Sequence, residues 1–462
     1  MNLSDVVSAD QSFRIDSEFF KKDDIKCLQS IEGLPHSSLK ALTHKIDVGY
    51  VGAMTAEYTE DVAAPKLLQT RNIDEFIPND IDLIHINRKF HVELKKSQIH
   101  TNDILIARSG SFGNAAIWLD NETVNSSDII IIEADSTQIE PCYLVAFLNS
   151  RYGRFQLERY ASGAVQEHVN LTILENLKIA RLSDGIQKRI SAAVRDAYNM
   201  LMQSRKAYCD AEGELLKELG FANWQPKGGG VSTKSFSETI AAGRIDAEYF
   251  QPKFDELMRR LSKCELRDLG GQDGLADLYK SIDPPSDLYS DEGVPFVRIA
   301  DFSKFGVESP KVRLPEDACK DCRRIRKNTI LLTKDGSVGI AYKAESDFDA
   351  VTSGAILHLT LKDGTVDPDY LTLALNSRIV QMQAERDAGG SIIQHWKPSQ
   401  VEKVKIPVLP QRVQSSLADK VRESFRLRNE SKRLLDLAKS AVELAIEKGE
   451  DAALSYMTHN GA

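Results

Sequence analysis

The sequence predicts an α+β protein in which two similar globular units alternate with two long helices. Three observations predict this architecture: an internal repeat, short β-branched runs bounded by turn residues in the first part of each repeat, and a change to a helical period in its last part. With 462 residues, the chain is long enough for about three domains of ~150 residues each.

The internal repeat is clearest between residues 148–182 and 375–409, which align without a gap and are identical at 14 of 35 positions. The same offset of 227 residues continues on both sides of this segment. Shared positions include Leu148 to Arg151 with Leu375 to Arg378, Gly163 with Gly390, and His168 with His395. Near the start of each copy, Arg14 to Phe20 is similar to Arg244 to Phe250. The repeated unit is therefore about 230 residues long.

The first part of each copy predicts short strands and turns. Runs such as Ile129 to Ile132 and Ala355 to Leu359 are bounded by Gly, Ser, Asn and Asp. Each copy also contains a Gly-Ser-x-Gly sequence, at Gly110 to Gly113 and at Gly336 to Gly339. The plainest interpretation of this sequence is a hairpin turn in which glycine supplies unusual backbone angles.

The last part of each copy has the period of a helix, because apolar or small residues recur in alternating steps of four and three. In the first copy these are Ile190, Val194, Ala197, Leu201, Ser204, Tyr208, Ala211 and Leu215, and in the second Leu417, Val421, Ser424, Arg428, Ser431, Leu435, Ala438 and Val442. We expect the two rows to pack against each other, with the polar members disfavouring slipped registers at some cost in stability. The alternative is two amphipathic helices, each packed only on its own domain.

These patterns divide the chain into six segments. We predict globular domains over residues 1–182 and 237–409, long helices over 183–222 and 410–448, a flexible linker over 223–236, and a C-terminal tail over 449–462.

Composition limits the classes of function. The formal net charge of −9 excludes a surface that is basic throughout, so DNA binding would have to use local lysine and arginine residues. Six cysteines without a recognisable signal peptide predict a reduced, cytoplasmic protein. The longest purely aliphatic run, Ile129 to Ile132, is far shorter than the ~20 residues that cross a bilayer, so we expect no membrane span.

This order of elements resembles the specificity subunits of Type I restriction-modification systems. The resemblance covers nearly the whole chain and depends on the duplicated order of the Gly-Ser-x-Gly turn, the Gly163 or Gly390 segment, and a Lys-Ile strand that leads into Gln-x-x-Ile or Gln-x-x-Leu. No single motif is specific, but their order and duplication are distinctive. The first copy departs from the family's proline-rich approach to the helix, having Ala180 to Asp184 where the second copy has Pro407 to Pro410.

The resemblance implies a role in DNA recognition. Each globular part would be a target-recognition domain that reads one half of a split double-stranded DNA site. The two helices would pair as an antiparallel coiled coil that serves as a spacer and as a docking platform for methyltransferase (modification) subunits, of which we expect two. Restriction (translocase) subunits would join the complex. The chain itself would have no catalytic residue, metal or cofactor, and S-adenosylmethionine, ATP and Mg would belong to the partner subunits.

Two further expectations follow from the two copies. The recognition parts diverge more than the helices, which predicts an asymmetric bipartite target. A helix from Ile186 to Gly220 would be ~50 Å long at 1.5 Å per residue, and major-groove faces recur every 34 to 36 Å or so, hence helix length should govern the unread spacer. We predict a coiled-coil interface formed by Ile190, Val194, Ala197, Leu201, Tyr208, Leu215, Leu417, Val421, Leu435 and Val442.

Loops at equivalent places carry side chains that could contact DNA, since Arg and Lys read guanine, Asn reads adenine, and Ser holds phosphates. In the first copy we predict contacts from Arg71, Asn72, Arg108, Ser109 and Ser111, and in the second from Arg298, Asp301, Lys334, Asp335 and Ser337. The repeated His168 and His395 are better explained as packed or capping residues. For Arg159 and Arg386, beside Glu158 and Glu385, ion pairing on a solvated helix face is the plainer explanation.

Two other classes of function stay open on the sequence: a self-sufficient nuclease of the PD-(D/E)xK type, and a protein adaptor that does not bind DNA. Asp80 with Glu93 to Lys95 fits the nuclease pattern, although the second copy has no equivalent. Asp283 to Ser286 lacks the aromatic residue of a DNA methyltransferase motif. Cys319 and Cys322 form a lone pair without further zinc ligands, so we predict no metal site.

Overall fold

The computed structural model describes residues 21–79, 82–108, 113–161, 171–226, 231–308, 310–389 and 394–461. The chain divides into two compact units. The first unit consists of Met1–Met202 with Arg428–Ala462, and the second unit consists of Gln203–Leu427. Because the boundary falls inside both long helices, each long helix contributes residues to both units.

The described helices are α1 (Lys22–Glu32), α2 (Arg88–Glu93), α3 (Pro141–Asn149), α4 (Arg151–Ala161), α5 (Leu171–Glu175), α6 (Asp184–Glu218), α7 (Phe236–Ala242), α8 (Pro252–Leu261), α9 (Pro368–Asn376), α10 (Arg378–Asp387), α11 (Pro398–Val401), α12 (Gln411–Lys448) and α13 (Glu450–His459). In this part of the chain, every helix is too short or too polar to cross a membrane.

The strands of the first unit are β1 (His36–Ser38), β2 (Thr43–Val48), β3 (Tyr58–Thr59), β4 (Lys66–Gln69), β5 (Ile84–Ile86), β6 (Gln98–Ile99), β7 (Ile104–Ala107), β8 (Ala115–Ile117), β9 (Val124–Ser127), β10 (Ile129–Ala134) and β11 (Lys178–Ala180). Those of the second are β12 (Leu266–Asp268), β13 (Ala276–Lys280), β14 (Val294–Val297), β15 (Phe302–Ser303), β16 (Gly306–Val307), β17 (Arg313–Leu314), β18 (Ile330–Thr333), β19 (Ala341–Lys343), β20 (Val351–Thr352), β21 (Ile356–Leu361) and β22 (Lys405–Pro407).

Both units contain the same antiparallel four-stranded sheet. Its strand order is β2-β10-β7-β8 in the first unit and β13-β21-β18-β19 in the second. A parallel strand pair accompanies it in each case, β4 with β9 and β14 with β20. A two-stranded antiparallel sheet precedes each long helix, β1 with β11 and β12 with β22. The internal repeat of the sequence is therefore a repeat of the fold.

The central strand β10 begins with four isoleucines, Ile129 to Ile132, because both faces of the strand are buried there. In the first unit, Ile130 and Ile132 join a core with the helices, whereas Ile129 and Ile131 join a separate core with the parallel strand pair. In the second unit the equivalent strand β21 divides in the same way, with Leu357 and Leu359 on one face and Ile356 on the other. Each unit thus has a helical layer, a central sheet and a second β layer.

The residues that are identical in the two copies hold this scaffold together. The side-chain amide of Asn149 accepts a hydrogen bond from the Ala115 backbone N–H at 3.1 Å and donates one to the Ala115 carbonyl at 2.7 Å. Asn376 makes the same two bonds with Ala341, at 3.0 and 2.7 Å. The repeated asparagine therefore replaces a strand partner at the edge of the four-stranded sheet.

Other repeated side chains have equally matched structural roles. Gln156 bonds both backbone groups of Lys178, and Gln383 does the same with Lys405. The hydroxyl of Tyr143 donates to the carbonyl of Ala180 at 2.7 Å. Much of the sequence identity between the copies consequently serves the fold.

The two long helices pack against each other within each unit, which confirms the predicted pairing. In the first unit, Ile190, Val194 and Ala197 of α6 share a core with residues of α12, among them Leu437 and Val442. In the second unit, Tyr208 and Leu215 share a core with Leu417 and Val421. Leu201 and Leu435 are only partly buried at the edge of the first core. The helices also contact the globular part of each unit in the same cores, so pairing and packing on the domain occur together.

The direction of pairing is antiparallel. In the second unit the contacts run from Ser204 with Ser424 to Glu214 with Lys420, so that position increases along α6 as it decreases along α12. In the first unit Ala197 contacts Ser431, and Ser183 just before α6 bonds Glu450 just after α12. The predicted tail contains the helix α13, and its Ala453 and Met457 are buried in the first unit's core.

Removal of the asparagine amide tests the scaffold role. Asn149→Ala leaves the buried N–H and carbonyl of Ala115 without their partner, so we expect the free energy of unfolding to fall by roughly 2 kcal/mol or more. Urea unfolding monitored by circular dichroism measures this loss. The matched control is Asn429→Ala on the exposed side of α12, which should change stability by less than about 0.5 kcal/mol. Equal effects from both variants would refute the role.

Candidate nucleic-acid interface

In the first unit, the predicted contact residues lie in two neighbouring segments. A 3-10 turn, Thr70–Asn72, follows β4, and Arg108 follows β7. Asp128 connects the segments, because its carboxylate pairs with Arg108 at 2.9 Å and its carbonyl accepts a hydrogen bond from the Thr70 hydroxyl at 3.0 Å. The structure therefore brings the two predicted segments together, while Ser109 and Ser111 lie outside the described residues.

Arg71 and Asn72 are neighbours with opposite orientations. Arg71 is exposed and donates one hydrogen bond to the carbonyl of Asp82 at 3.0 Å. Asn72 is 1% exposed, and its side-chain oxygen accepts a hydrogen bond from the Gln69 backbone N–H. The amide of Asn72 is thus used to close the turn that presents Arg71. That Asn72 itself contacts DNA stays a prediction.

The second unit repeats this local design. The 3-10 turn Ile299–Asp301 follows β14, and the carboxylate of Asp301 accepts a hydrogen bond from the Arg298 backbone N–H at 3.0 Å. This bond is equivalent to the one made by Asn72. Arg298 also approaches Asp301 through its guanidinium group, at 3.4 Å. The two turns are thus closed by the same type of hydrogen bond, although one uses an asparagine and the other an aspartate.

The second Gly-Ser-x-Gly sequence joins β18 and β19 as a hairpin, in agreement with its plainest interpretation. Gly336 and Gly339 have φ values of 67° and 87°, which side chains with a Cβ adopt at a cost. A Cβ placed on Gly336 would lie 3.3 Å from Ile299, so the hairpin lies against the Ile299–Asp301 turn. Ser337 is exposed at the tip.

Lys334 and Asp335 are largely buried at the base of this hairpin and form an ion pair with each other. Asp335 also bonds His395 at 2.8 Å, and the backbones of these two residues form an isolated bridge. Burial raises the pKa of Asp335, but the hydrogen bonds from Lys334 and His395 outweigh it and hold the pKa below its usual value. His395 is exposed and has a structural partner, whereas His168 lies outside the described residues.

A cavity of about 800 Å³ is lined by His395 and by Arg244 of the repeated Arg-Ile-Asp motif. Arg244 forms an ion pair with Asp246 at 2.7 Å, and the guanidinium groups of Arg244 and Arg386 lie 5.0 and 5.3 Å from the ring centre of Tyr249. Arg386 is mostly buried and pairs with Asp387, so its expected pairing on a solvated face was wrong. The first copy of the motif, Arg14 to Phe20, lies outside the described residues.

Sequence reasoning missed a basic loop in the second unit. Arg323, Arg324, Arg326 and Lys327 precede β18, and three of the four are exposed. The signal in the sequence that could have revealed this loop is four cationic residues within five positions.

The described residues contain no group of three or more His, Cys, Asp and Glu that could hold a metal ion. Cys319 and Cys322 are free thiols, and Asp80 of the nuclease-like pattern lies outside the described residues.

The two units are α+β domains of one repeated fold. Residues 54–207 match the sequence model of the family described as Type I restriction modification DNA specificity domain. Over these residues the chain is similar to that family, which confirms the resemblance drawn from the sequence. Among curated protein sequences, none matches this chain.

Several solved structures are similar to this chain over most of its length, and the organism is known for two of them. The HsdS subunit from Thermoanaerobacter tengcongensis is 16% identical, with 90% of this chain and 97% of that chain covered and a TM-score of 0.29. The Type-I restriction-modification system S subunit from M. genitalium is 13% identical, with 92% and 93% covered and a TM-score of 0.36. A chain from a study of complex assembly and conformational transition of the type I R-M system is 15% identical, with 90% and 99% covered and a TM-score of 0.29.

The neighbours Arg71 and Asn72 form a matched pair for substitution. Asn72→Ala removes the buried hydrogen bond that closes the turn. We therefore expect the free energy of unfolding to fall by about 1 kcal/mol, as for a lost helix cap. Arg71→Ala removes an exposed side chain and should change stability by less than about 0.5 kcal/mol. Denaturant unfolding of both variants is the measurement. A larger loss in Arg71→Ala than in Asn72→Ala would contradict the assigned roles.

Proposed function

We propose that this chain is the DNA sequence-recognition subunit of a Type I restriction-modification complex, and that each unit reads one half of an asymmetric bipartite site in double-stranded DNA. The observation that carries the proposal is the match of residues 54–207 to the DNA specificity domain family. The second unit has the same strand order and the same asparagine and glutamine bonds, which supports extending the proposal to it.

Different half-sites are supported by the differences between equivalent contact segments. The turn after β4 ends in Asn72, whereas the turn after β14 ends in Asp301. Arg108 after β7 has the ion-paired Lys334 as its counterpart after β18. A shared scaffold with different side chains at its loops is the arrangement expected for two readers of different base sequences.

We further propose that α6 and α12 set the spacer between the half-sites and dock two methyltransferase subunits. The antiparallel pairing of these helices in each unit supports a rigid spacer. In this proposal the chain is not itself the catalyst. S-adenosylmethionine would bind the methyltransferase subunits, and ATP and Mg would serve restriction subunits if the system contains them.

Exchange of one recognition domain tests the function most completely. Residues 1–182 are replaced by the matching region of another specificity subunit, and the methylome of cells that express the chimera with its modification subunits is sequenced. We expect a split methylated motif in which one half changes and the other half and the spacer stay the same. Replacement of residues 237–409 is the matched control and should change only the other half.

Results of this experiment, and of a cleavage assay on the isolated chain, can contradict the proposal. An unsplit motif, or a motif that changes in both halves, would refute the assignment of one half-site to each unit. DNA cleavage by the chain alone with Mg²⁺, lost in Glu93→Ala, would indicate the nuclease. Binding of partner proteins without any methylated motif would indicate an adaptor.

A further inference from the structure

The second unit contains an open polar groove. Its floor is one face of the four-stranded sheet, where Tyr279 of β13 lies directly opposite His358 of β21. Its wall is the basic loop before β18. Two cavities, of about 650 and 320 Å³, lie beside Arg323, and both are lined by Arg323 and His358.

Arg323 is held in place over an aromatic ring. Its guanidinium carbon lies 3.2 Å from the centre of the Tyr279 ring, which is a cation–π contact. Its neighbours are neutralised, because Arg324 pairs with Glu316 and Asp349, and Arg326 pairs with Asp347.

Arg323 and Lys327, by contrast, form no ion pair with a carboxylate within the described ranges, and both are exposed. The groove therefore presents two exposed cations outside any ion pair of the described residues, of which Lys327 lies near Asp347 and bonds its carboxylate through the backbone N–H at 2.9 Å.

The floor of the groove adds neutral hydrogen-bonding groups. His358 is 3% exposed, and a hydrogen bond of 2.8 Å joins one of its ring nitrogens to the hydroxyl of Thr352. Burial, with a smaller contribution from Arg323, lowers the pKa of His358 to about 4, so the ring is neutral at physiological pH. The buried hydroxyl oxygen of Ser281, which lines the smaller cavity, has no hydrogen-bond partner among the described residues.

The strand register allows a comparison with the first unit. Tyr279 pairs with His358, and Asp47 pairs with Ile131, the residue 227 positions before His358. Asp47 forms an ion pair with Lys96 at 3.0 Å. The equivalent place in the first unit thus has an apolar residue instead of the histidine and a neutralised lysine instead of a free arginine.

We propose that this groove binds the phosphate groups of a DNA strand and so anchors the second unit on DNA without reading its bases. The inference rests on the proposed function. Two exposed cations with neutral polar groups beside them suit a phosphodiester, since phosphate contacts are made by Arg, Lys and neutral polar side chains. An aromatic ring that supports the guanidinium fixes its position. A free nucleotide offers the same chemistry and is the other source that the experiment distinguishes.

The test uses the full chain assembled with its modification subunits and a fluorescent duplex of random sequence, with affinity measured over a range of salt concentrations. For the double variant Arg323→Ala/Lys327→Ala we expect affinity to fall about tenfold or more near 100 mM salt, and the slope of log K against log salt to fall by about 2, because each lost phosphate contact removes about 0.9. Arg323→Lys should retain most of the slope. Arg259→Ala, which removes an exposed arginine on α8, controls for the loss of one positive charge away from the groove and should leave the slope nearly unchanged.

A second readout separates this inference from the proposed function. Because phosphate contacts position the protein but do not specify bases, the double variant should methylate the same split motif as the unchanged chain, at fewer sites. A normal split motif together with an unchanged salt slope would overturn the groove and leave the proposed function standing. Absence of any methylated motif from the unchanged chain would refute the proposed function itself.

The free nucleotide is tested with ATP as the probe. Binding of ATP that is lost in Arg323→Ala, while DNA affinity and slope stay the same, would overturn the assignment to DNA. Loss of DNA affinity without any binding of ATP supports it. Circular dichroism and thermal unfolding of each variant establish that the fold is retained, and a double variant that fails to fold is replaced by Arg323→Gln with Lys327→Gln.

Discussion

The two long helices approach each other through small polar side chains that bond directly to the opposite backbone. The hydroxyl of Ser204 donates to the carbonyl of Ser424 at 2.7 Å, and the hydroxyl of Ser424 donates to the carbonyl of Ser204 at 2.8 Å. Ser431 donates to the carbonyl of Ala197 in the first unit at 2.7 Å. All three serines are buried, so each hydroxyl depends on this partner. Since a shift of register would leave these groups unpaired, the bonds disfavour every other alignment of the helices.

The globular parts are fixed to this helix pair by charged contacts as well as by their cores. In the second unit, Arg422 of α12 binds the carboxylates of Asp367 and Asp369 at the start of α9, and Lys343 of β19 pairs with Asp369 at 2.7 Å. Because Asp369 is only 3% exposed at its side chain, loss of both cations would leave a buried charge uncompensated.

The first unit uses different residues for the same purpose. The backbone N–H of Arg151 donates to Glu443 of α12 at 2.8 Å, and its guanidinium pairs with Glu447. Arg195 of α6 reaches the side chain of Asn102 at 3.1 Å, just before β7. Each four-stranded sheet is therefore connected to a helix of the pair, which is the physical basis for a fixed relation between the loops of the candidate interface and that helix within a unit.

The sequence predicted the fold well where periodicity and duplication carry the information. Alternating steps of three and four indicated both long helices, and the 227-residue offset indicated the repeated domain. The sequence also predicted that the polar residues of the two helix rows disfavour slipped registers. The bonds of their serines to backbone carbonyls could not be foreseen, because these bonds depend on how closely the helices approach each other. The C-terminal helix was missed because its sequence, Glu450 to His459, is short and only weakly amphipathic.

The candidate site was less predictable, because its chemistry depends on contacts between distant residues. The sequence shows Asn72 and Arg71 side by side, but only the fold shows that one closes a turn and the other is exposed. Arg386 was expected to pair with Glu385, yet helix geometry directs it to Asp387 and Tyr249. The groove beside Arg323 requires β13 and β21 to be adjacent, and nothing local in the sequence of either strand indicates this.

Disulfide trapping of the helix pair tests the central claim most directly. In a chain whose six native cysteines are replaced by serine, cysteine pairs are introduced at 204 with 424, in the second unit, and at 197 with 431, in the first. We expect rapid intramolecular cross-linking of both pairs, seen by electrophoresis and mass spectrometry. The mismatched pair 215 with 424 should not cross-link, because position 215 lies 11 residues, or roughly 16 Å, further along α6 than position 204. Cross-linking of the mismatched pair in preference to the matched pairs would contradict the antiparallel register on which this account depends.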